Sequence, residues 1–211
     1  MNRAKIHLSK QESDLVNNRE WLLTKQVIIK KVYDVFGELH RQYKIIAASE
    51  TKHLPNGLLV SGGKISRGEN YKGLPYIVLD YPAVFTKENV FAVRTLFWWG
   101  NYFSISLLLS GKYFPEIEKG SAILNYLQEK NFLICNNESP WEHSIDEGSY
   151  LEAGQITGEQ MTQIMQKNYF KIAKKISLEQ WEGAPVFLEN SFREMIQSAA
   201  ISFHQDGETD L

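Results

Sequence analysis

Between Lys64 and Gly111 apolar and polar residues alternate with a period of two, and many of the apolar ones are aromatic. That period belongs to strands of an antiparallel sheet. The clearest hairpin lies between Asn89 and Ser110, where two runs rich in β-branched and aromatic residues meet at Gly100-Asn101. A two-residue loop of Gly and Asn suits the positive dihedrals of tight hairpins. It would set Trp98 opposite Phe103, Leu96 opposite Ile105 and Arg94 opposite Leu107. One face then carries Ala92, Arg94, Leu96, Trp98, Phe103, Ile105, Leu107 and Leu109. This is the expected core side, with Arg94 its one charged member. The other face would carry Phe91, Val93, Thr95, Phe97, Trp99, Tyr102, Ser104, Ser106 and Leu108, covered by a second layer or walling a ligand cavity.

Around this hairpin the period changes to that of helices. Ser9 and Glu12 have capping-box spacing, so a short helix is expected near residue 10. A longer one is expected from Asn18 to Tyr43, with Trp21, Ile28, Val32, Val35 and Leu39 against the sheet and Lys25, Lys30, Lys31, Glu38 and Arg41 in water. Residues 50–73 read as turns with short strands at Leu58–Val60 and Lys64–Ser66. Leu74 to Tyr81 reads as a strand stopped by Pro82, and Pro75 suits an edge or first position.

Beyond the hairpin, Pro115 suits the first turn of a helix reaching Lys130, with Ile117, Leu124 and Leu127 inward. Asn131 to Cys135 reads as a short strand. Residues 136–160 contain no Lys or Arg and six acidic residues, Glu138, Glu142, Asp146, Glu147, Glu152 and Glu159, the pattern of an exposed, mobile loop. Thr157 and Gln160 form a second capping box before Met161, Ile164 and Met165. Tyr169 to Leu178 fits either period; the strand reading puts Phe170, Ile172 and Ile176 on one face and Lys171 and Lys175 on the other. Pro185 to Phe203 reads as a helix, and residues 205–211 as a disordered tail. Together these predict one α+β domain over residues 1–204. Its antiparallel sheet has about four to six strands, covered by the N-terminal and C-terminal helices.

Composition narrows the class. With 23 basic and 25 acidic side chains in 211 residues the net charge is -2, which gives no general attraction to nucleic acid. The single Cys135 cannot form an internal disulfide, and the start MNRAKIHLSKQ lacks the apolar core of a secretion signal, so a cytoplasmic location is expected. No apolar run reaches the roughly 20 residues of a membrane span. The run Asn17-Asn18-Arg19-Glu20-Trp21 leading into a long amphipathic helix, followed by antiparallel strands, resembles uncharacterised families of bacterial cytosolic proteins. The resemblance implies a bacterial α+β protein and carries over no functional residue.

Candidate chemistry is sparse. In Gly57–Ser66 the spacing puts Gly63 where a phosphate loop needs its lysine, and Ile65 where it needs a hydroxyl, so this is a turn. Trp141–Glu147 offers carboxylates and His143, but no paired-histidine or Cys/His motif accompanies them, so neither metal nor cofactor is expected. Cys135 has no fixed histidine partner and reads as a small buried residue. Trp98, Trp99, Tyr102 and Phe103 could stack on a base, yet no cations adjoin them.

Arg94 among aromatics is an anion receptor in kind, because its fork holds a carboxylate or phosphate by two hydrogen bonds. The simpler reading pairs it with Asp80 or Glu69 across neighbouring strands. Two functions stay open. The first is a non-catalytic protein that binds a small anionic molecule or a protein partner, a second copy of itself included, through Arg94, Asp80, Glu69, Trp99, Tyr102, Ser104 and Ser106. The second is an enzyme with Arg94 as anion anchor and Asp80 or Glu69 as general base.

Overall fold

The computed structural model describes residues 6–50, 54–55, 57–58, 62–146 and 148–203. Helices α1 (Lys10–Asn17) and α2 (Arg19–Ser49) lead into strands β1 (Lys64–Tyr71), β2 (Leu74–Phe85), β3 (Val90–Trp98) and β4 (Tyr102–Ser110). Then come α3 (Gly120–Glu129), β5 (Leu133–Cys135), β6 (Tyr150–Glu152), α4 (Gly158–Met165), β7 (Tyr169–Ser177) and α5 (Ala184–Phe203). All strands join one antiparallel sheet in the order β1-β2-β3-β4-β7-β5-β6. The fold is α+β, as the patterning predicts. Its seven strands exceed the expected four to six because the acidic stretch contributes β6.

Both capping boxes form: Ser9 accepts from the Glu12 amide and Thr157 from the Gln160 amide, with each partner side chain reaching back. Asn18 caps α2 by accepting from the Trp21 amide at 2.9 Å, which is the local work of the Asn17–Trp21 run. Helix α2 runs six residues past its expected end, and buries Ile29, Val32, Phe36, Leu39, Tyr43, Ile46 and Ala47. Trp21 turns toward the sheet as expected, edge-on to Trp99, and stays 41% exposed. Ile117 is outside, since α3 starts only at Gly120. The main core joins α2, α3, α4 and α5 to one face of the sheet. There Tyr43 stacks on Phe192 with ring centroids 3.9 Å apart, and Phe103 lies against Phe36, Phe97 and Trp181.

Two strand expectations need correction. Strand β2 continues through Pro82 to Phe85, because the register shifts between Asp80 and Ala83 and the residue without an N–H sits where the ladder is interrupted. In the hairpin, Phe97 faces Phe103, Leu96 faces Ser104 and Arg94 faces Ser106, one residue away from the expected pairing. Gly100 has φ +69° inside a turn closed by the Asn101 amide on the Trp98 carbonyl, and the Asn101 side chain bonds back to the Trp99 carbonyl. Three residues therefore separate the strand ends, not two.

A slip of one residue turns one strand over relative to the other. The helix-covered face is Phe91, Val93, Thr95 and Phe97 with Phe103, Ile105, Leu107 and Leu109. Arg94 shares the opposite face with Tyr102, Ser104 and Ser106. Trp99 leaves that set and sits on the helix side, edge-on to Trp21 and Phe97.

The run Tyr169–Ser177 is a strand, with Lys171 and Lys175 on the face opposite Phe170 and Ile172. Of the expected strand Leu58–Val60, Leu59 and Val60 lie outside the described residues, and Leu58 itself is buried in a single helical turn. Glu147 and the expected tail at 205–211 also lie outside them. Among the described residues no helix is long and apolar enough to cross a membrane.

Candidate functional site

Four residues in register form a row across the face without helices: Asp80 on β2, Arg94 on β3, Ser106 on β4 and Ala173 on β7. The next row is Val78, Leu96, Ser104 and Lys175, and Lys171 stands opposite Leu108. The segment 136–146 lies over this face. It is not the solvated loop its acidity suggests, since Ser144 and Ile145 are buried. Side chains of the sheet hold its backbone. Lys171 Nζ donates to the carbonyls of Pro140 at 2.8 Å and Glu142 at 2.5 Å, and Lys175 Nζ to that of Ile145 at 3.0 Å. The Tyr71 hydroxyl accepts the His143 amide and the Tyr102 hydroxyl the Ile145 amide, at 2.9 and 2.7 Å. Each is a polar group that a covered backbone would otherwise leave unpaired.

Arg94 is the centre of the row. Its Nε and Nη2 donate to the two oxygens of Asp80 at 2.7 and 2.8 Å, the bidentate geometry a guanidinium fork favours. Its Nη1 donates to His143 Nε2 at 2.8 Å, which makes that nitrogen an acceptor and places the imidazole proton on Nδ1. Burial, reinforced by the Lys171 and Arg94 charges, pushes the His143 pKa down to about 3. A proton on Nε2 would set two donors and two positive charges face to face. Burial pushes the Lys171 ammonium down to about 8, and the side chain is 2% exposed.

A second cluster continues toward the hairpin tip. Tyr71 donates to Glu142, whose carboxylate also accepts the Ser144 amide at 2.9 Å. Burial raises the Tyr71 pKa, and the bond to Glu142 adds to the shift. Asp146 accepts from Ser144 and from Lys72, and both bonds keep it in its charged form. Glu142, Asp146 and His143 thus have protein partners, and among the described residues no group of three or more His, Cys, Asp and Glu is placed to hold a metal ion.

Between sheet and segment is a cavity of about 20 Å³ lined by Arg94, Ser106, Lys171, His143 and the apolar Ala92 and Leu108, room for about one water molecule. Phe85 and Trp141 stand at its edge, 46% and 54% exposed, with ring centroids 6.3 Å apart. A smaller hollow adjoins Ser104, Ser106 and Tyr150. The structure brings Arg94, Asp80, Ser104, Ser106 and Tyr102 to one face. It leaves two sequence candidates elsewhere: Trp99 on the helix side, and Glu69 on β1, where it pairs with Lys25 at 3.7 Å.

His143, Lys171, Tyr71 and Glu142 belong to the site and were not among the sequence candidates. The available signal was complementarity, a pair of lysines four apart on an interior strand and a segment bearing only acidic charge. No protein-family model, no curated protein and no solved structure matches this chain.

Proposed function

We propose that the protein binds a small anion bearing an aromatic or apolar group, held between the Arg94 row and the segment above it. The observation that carries this is the hollow itself. The Arg94 and Lys171 cations and the Ser106 hydroxyl stand in an otherwise apolar lining that includes Phe85, Leu108 and Trp141, and Lys171 Nζ holds the Pro140 and Glu142 carbonyls of its cover. Three of the five guanidinium N–H groups of Arg94 are engaged, so two are left for a ligand oxygen. Ser106 and Lys171 flank that position. Phe85 and Trp141 suit the apolar body of such a ligand, since half-exposed rings at a cleft mouth can close on a flat group. With room for about one water in the resting state, admission requires the Pro140–His143 part of the segment to lift.

The enzymatic reading draws less support. Both Asp80 oxygens accept from Arg94, and Glu69 turns to Lys25, so neither candidate base is free beside the hollow.

The test is a thermal-shift and calorimetric panel of benzoate, indole-3-acetate, phenyl phosphate and inorganic phosphate. An aryl anion should raise the melting temperature of the wild-type protein. Arg94→Lys, which keeps the charge but loses the fork, should weaken it by about tenfold or more. The double variant Phe85→Ala/Trp141→Ala should weaken aryl anions and leave inorganic phosphate unchanged. Indifference of the wild type to every aryl anion, or of an aryl anion to Arg94→Lys, refutes the reading.

A further inference from the structure

Eight of the fourteen large apolar side chains exposed among the described residues lie between residues 6 and 27. Helix α1 buries none of its residues, and in α2 the first buried residue is Ile29. An isolated helix of eight residues is marginal in water even with good caps, so α1 calls for a surface, and none of the described residues buries it. The exposed residues include Leu15 and Val16 on α1 and Leu22, Leu23 and Val27 on α2, between 46% and 59% exposed. On α2, Trp21 and Lys25 turn to the sheet, toward Trp99 and Glu69. Helical spacing therefore puts Leu23 and Val27 on the far side.

We propose that this helix pair is a self-association surface that a second copy of the chain covers by two-fold symmetry. Two features favour a second copy as the occupant. Without Trp21, which faces the sheet, the other seven side chains present on the order of 700 Å² of apolar surface, close to what one partner brings to a standard interface and more than the largest patch on a typical monomer. The two helices also differ in net charge: Lys10 against Glu12 and Asp14 leaves α1 at -1, and Arg19, Lys25, Lys30 and Lys31 against Glu20 leave residues 19–31 at +3. An antiparallel pairing sets the acidic α1 of each copy beside the basic turns of α2 of the other, the self-complementarity that a two-fold interface requires. The surface lies apart from the Arg94 row, so the inference does not depend on the ligand.

Sedimentation velocity of the full chain across micromolar concentrations tests it. The wild type should run at twice 24.3 kDa. The double variant Leu23→Glu/Val27→Glu, at positions 56% and 54% exposed, should run at 24.3 kDa with unchanged far-ultraviolet circular dichroism, its dissociation constant raised by about a hundredfold or more. A wild type that stays monomeric throughout that range overturns the proposal. So does a dimer that the double variant leaves intact.

Discussion

Successive residues of β3 show the sheet's two faces side by side. Phe91, Val93, Thr95 and Phe97 meet helices, and the one polar group among them, Thr95, is paired with the Tyr43 hydroxyl at 3.1 Å. Ala92, Arg94 and Leu96 meet an irregular segment and Trp98 packs among Tyr71, Tyr76 and Tyr102, on a face that also carries Asp80, Lys171, Lys175, Ser104 and Ser106. The covers differ in what they demand. A helix satisfies its own backbone and asks the sheet only for apolar area. An irregular cover brings unpaired N–H and C=O groups, so the sheet beneath it must supply tyrosine hydroxyls and lysine amines. The polarity of the second face follows from the kind of element that lies on it.

The difference can be tested by injuring each face in turn. Phe103→Ala opens a cavity at the centre of the helix-covered face, 1% exposed, and should cost about 3 to 5 kcal/mol. For a chain of this length that lowers the melting temperature by roughly 10 °C, readable by calorimetry. On the other face, Arg94→Met leaves Asp80, whose side chain is 13% exposed, charged without its partner, at about 3 kcal/mol. Here a second change should recover most of the loss: Asp80→Asn/Arg94→Met removes the stranded charge. A double-mutant cycle with no coupling between the two positions would contradict this account of the row.

Both faces were partly legible in the sequence. Periodicity and capping boxes are local, so α1, α4, α5 and β7 stand close to where the pattern puts them. The hairpin register was not legible, because Gly100-Asn101 is compatible with a two-residue and a three-residue loop, and only the packing of Phe97 against Phe103 selects between them. That single step decides whether Arg94 faces helices or hydroxyls. The cover formed by residues 136–146 was not legible for a related reason. Its acidity describes solvated residues well, but its attachment depends on Lys171, Lys175, Tyr71 and Tyr102 from distant strands, which composition cannot show.

Acid distinguishes the faces by charge. The folded-state pKa of His143 lies near 3, against about 6.5 unfolded. Below pH 6.5 the unfolded chain therefore takes up a proton that the folded one refuses. Stability from this group is fully present above pH 6.5 and is lost as the pH falls toward 3, by about 2 kcal/mol at pH 5. Denaturant titrations of wild type and His143→Gln at pH 7 and pH 5 measure it. The wild type should lose more stability than the variant across this interval, and equal losses would show that the imidazole does not carry the acid response.

The smallest effect separates local from global stability. Lys171→Met removes the donor to the Pro140 and Glu142 carbonyls and also removes an ammonium that burial has already pushed down to about 8. The lost hydrogen bonds and the relieved desolvation oppose each other, so the global unfolding free energy should change by about 1 kcal/mol or less. The segment itself gains nothing from that relief once it has opened and water reaches the amine. Its opening equilibrium should therefore shift by about 1 kcal/mol, roughly fivefold. Hydrogen exchange at the amides of His143, Ser144 and Ile145 should quicken by that factor, while those of Phe36 and Phe192 keep the wild-type rate. Equal acceleration in both places would mean that the two faces open as one unit, and the contrast between a packed face and a latched one would fail.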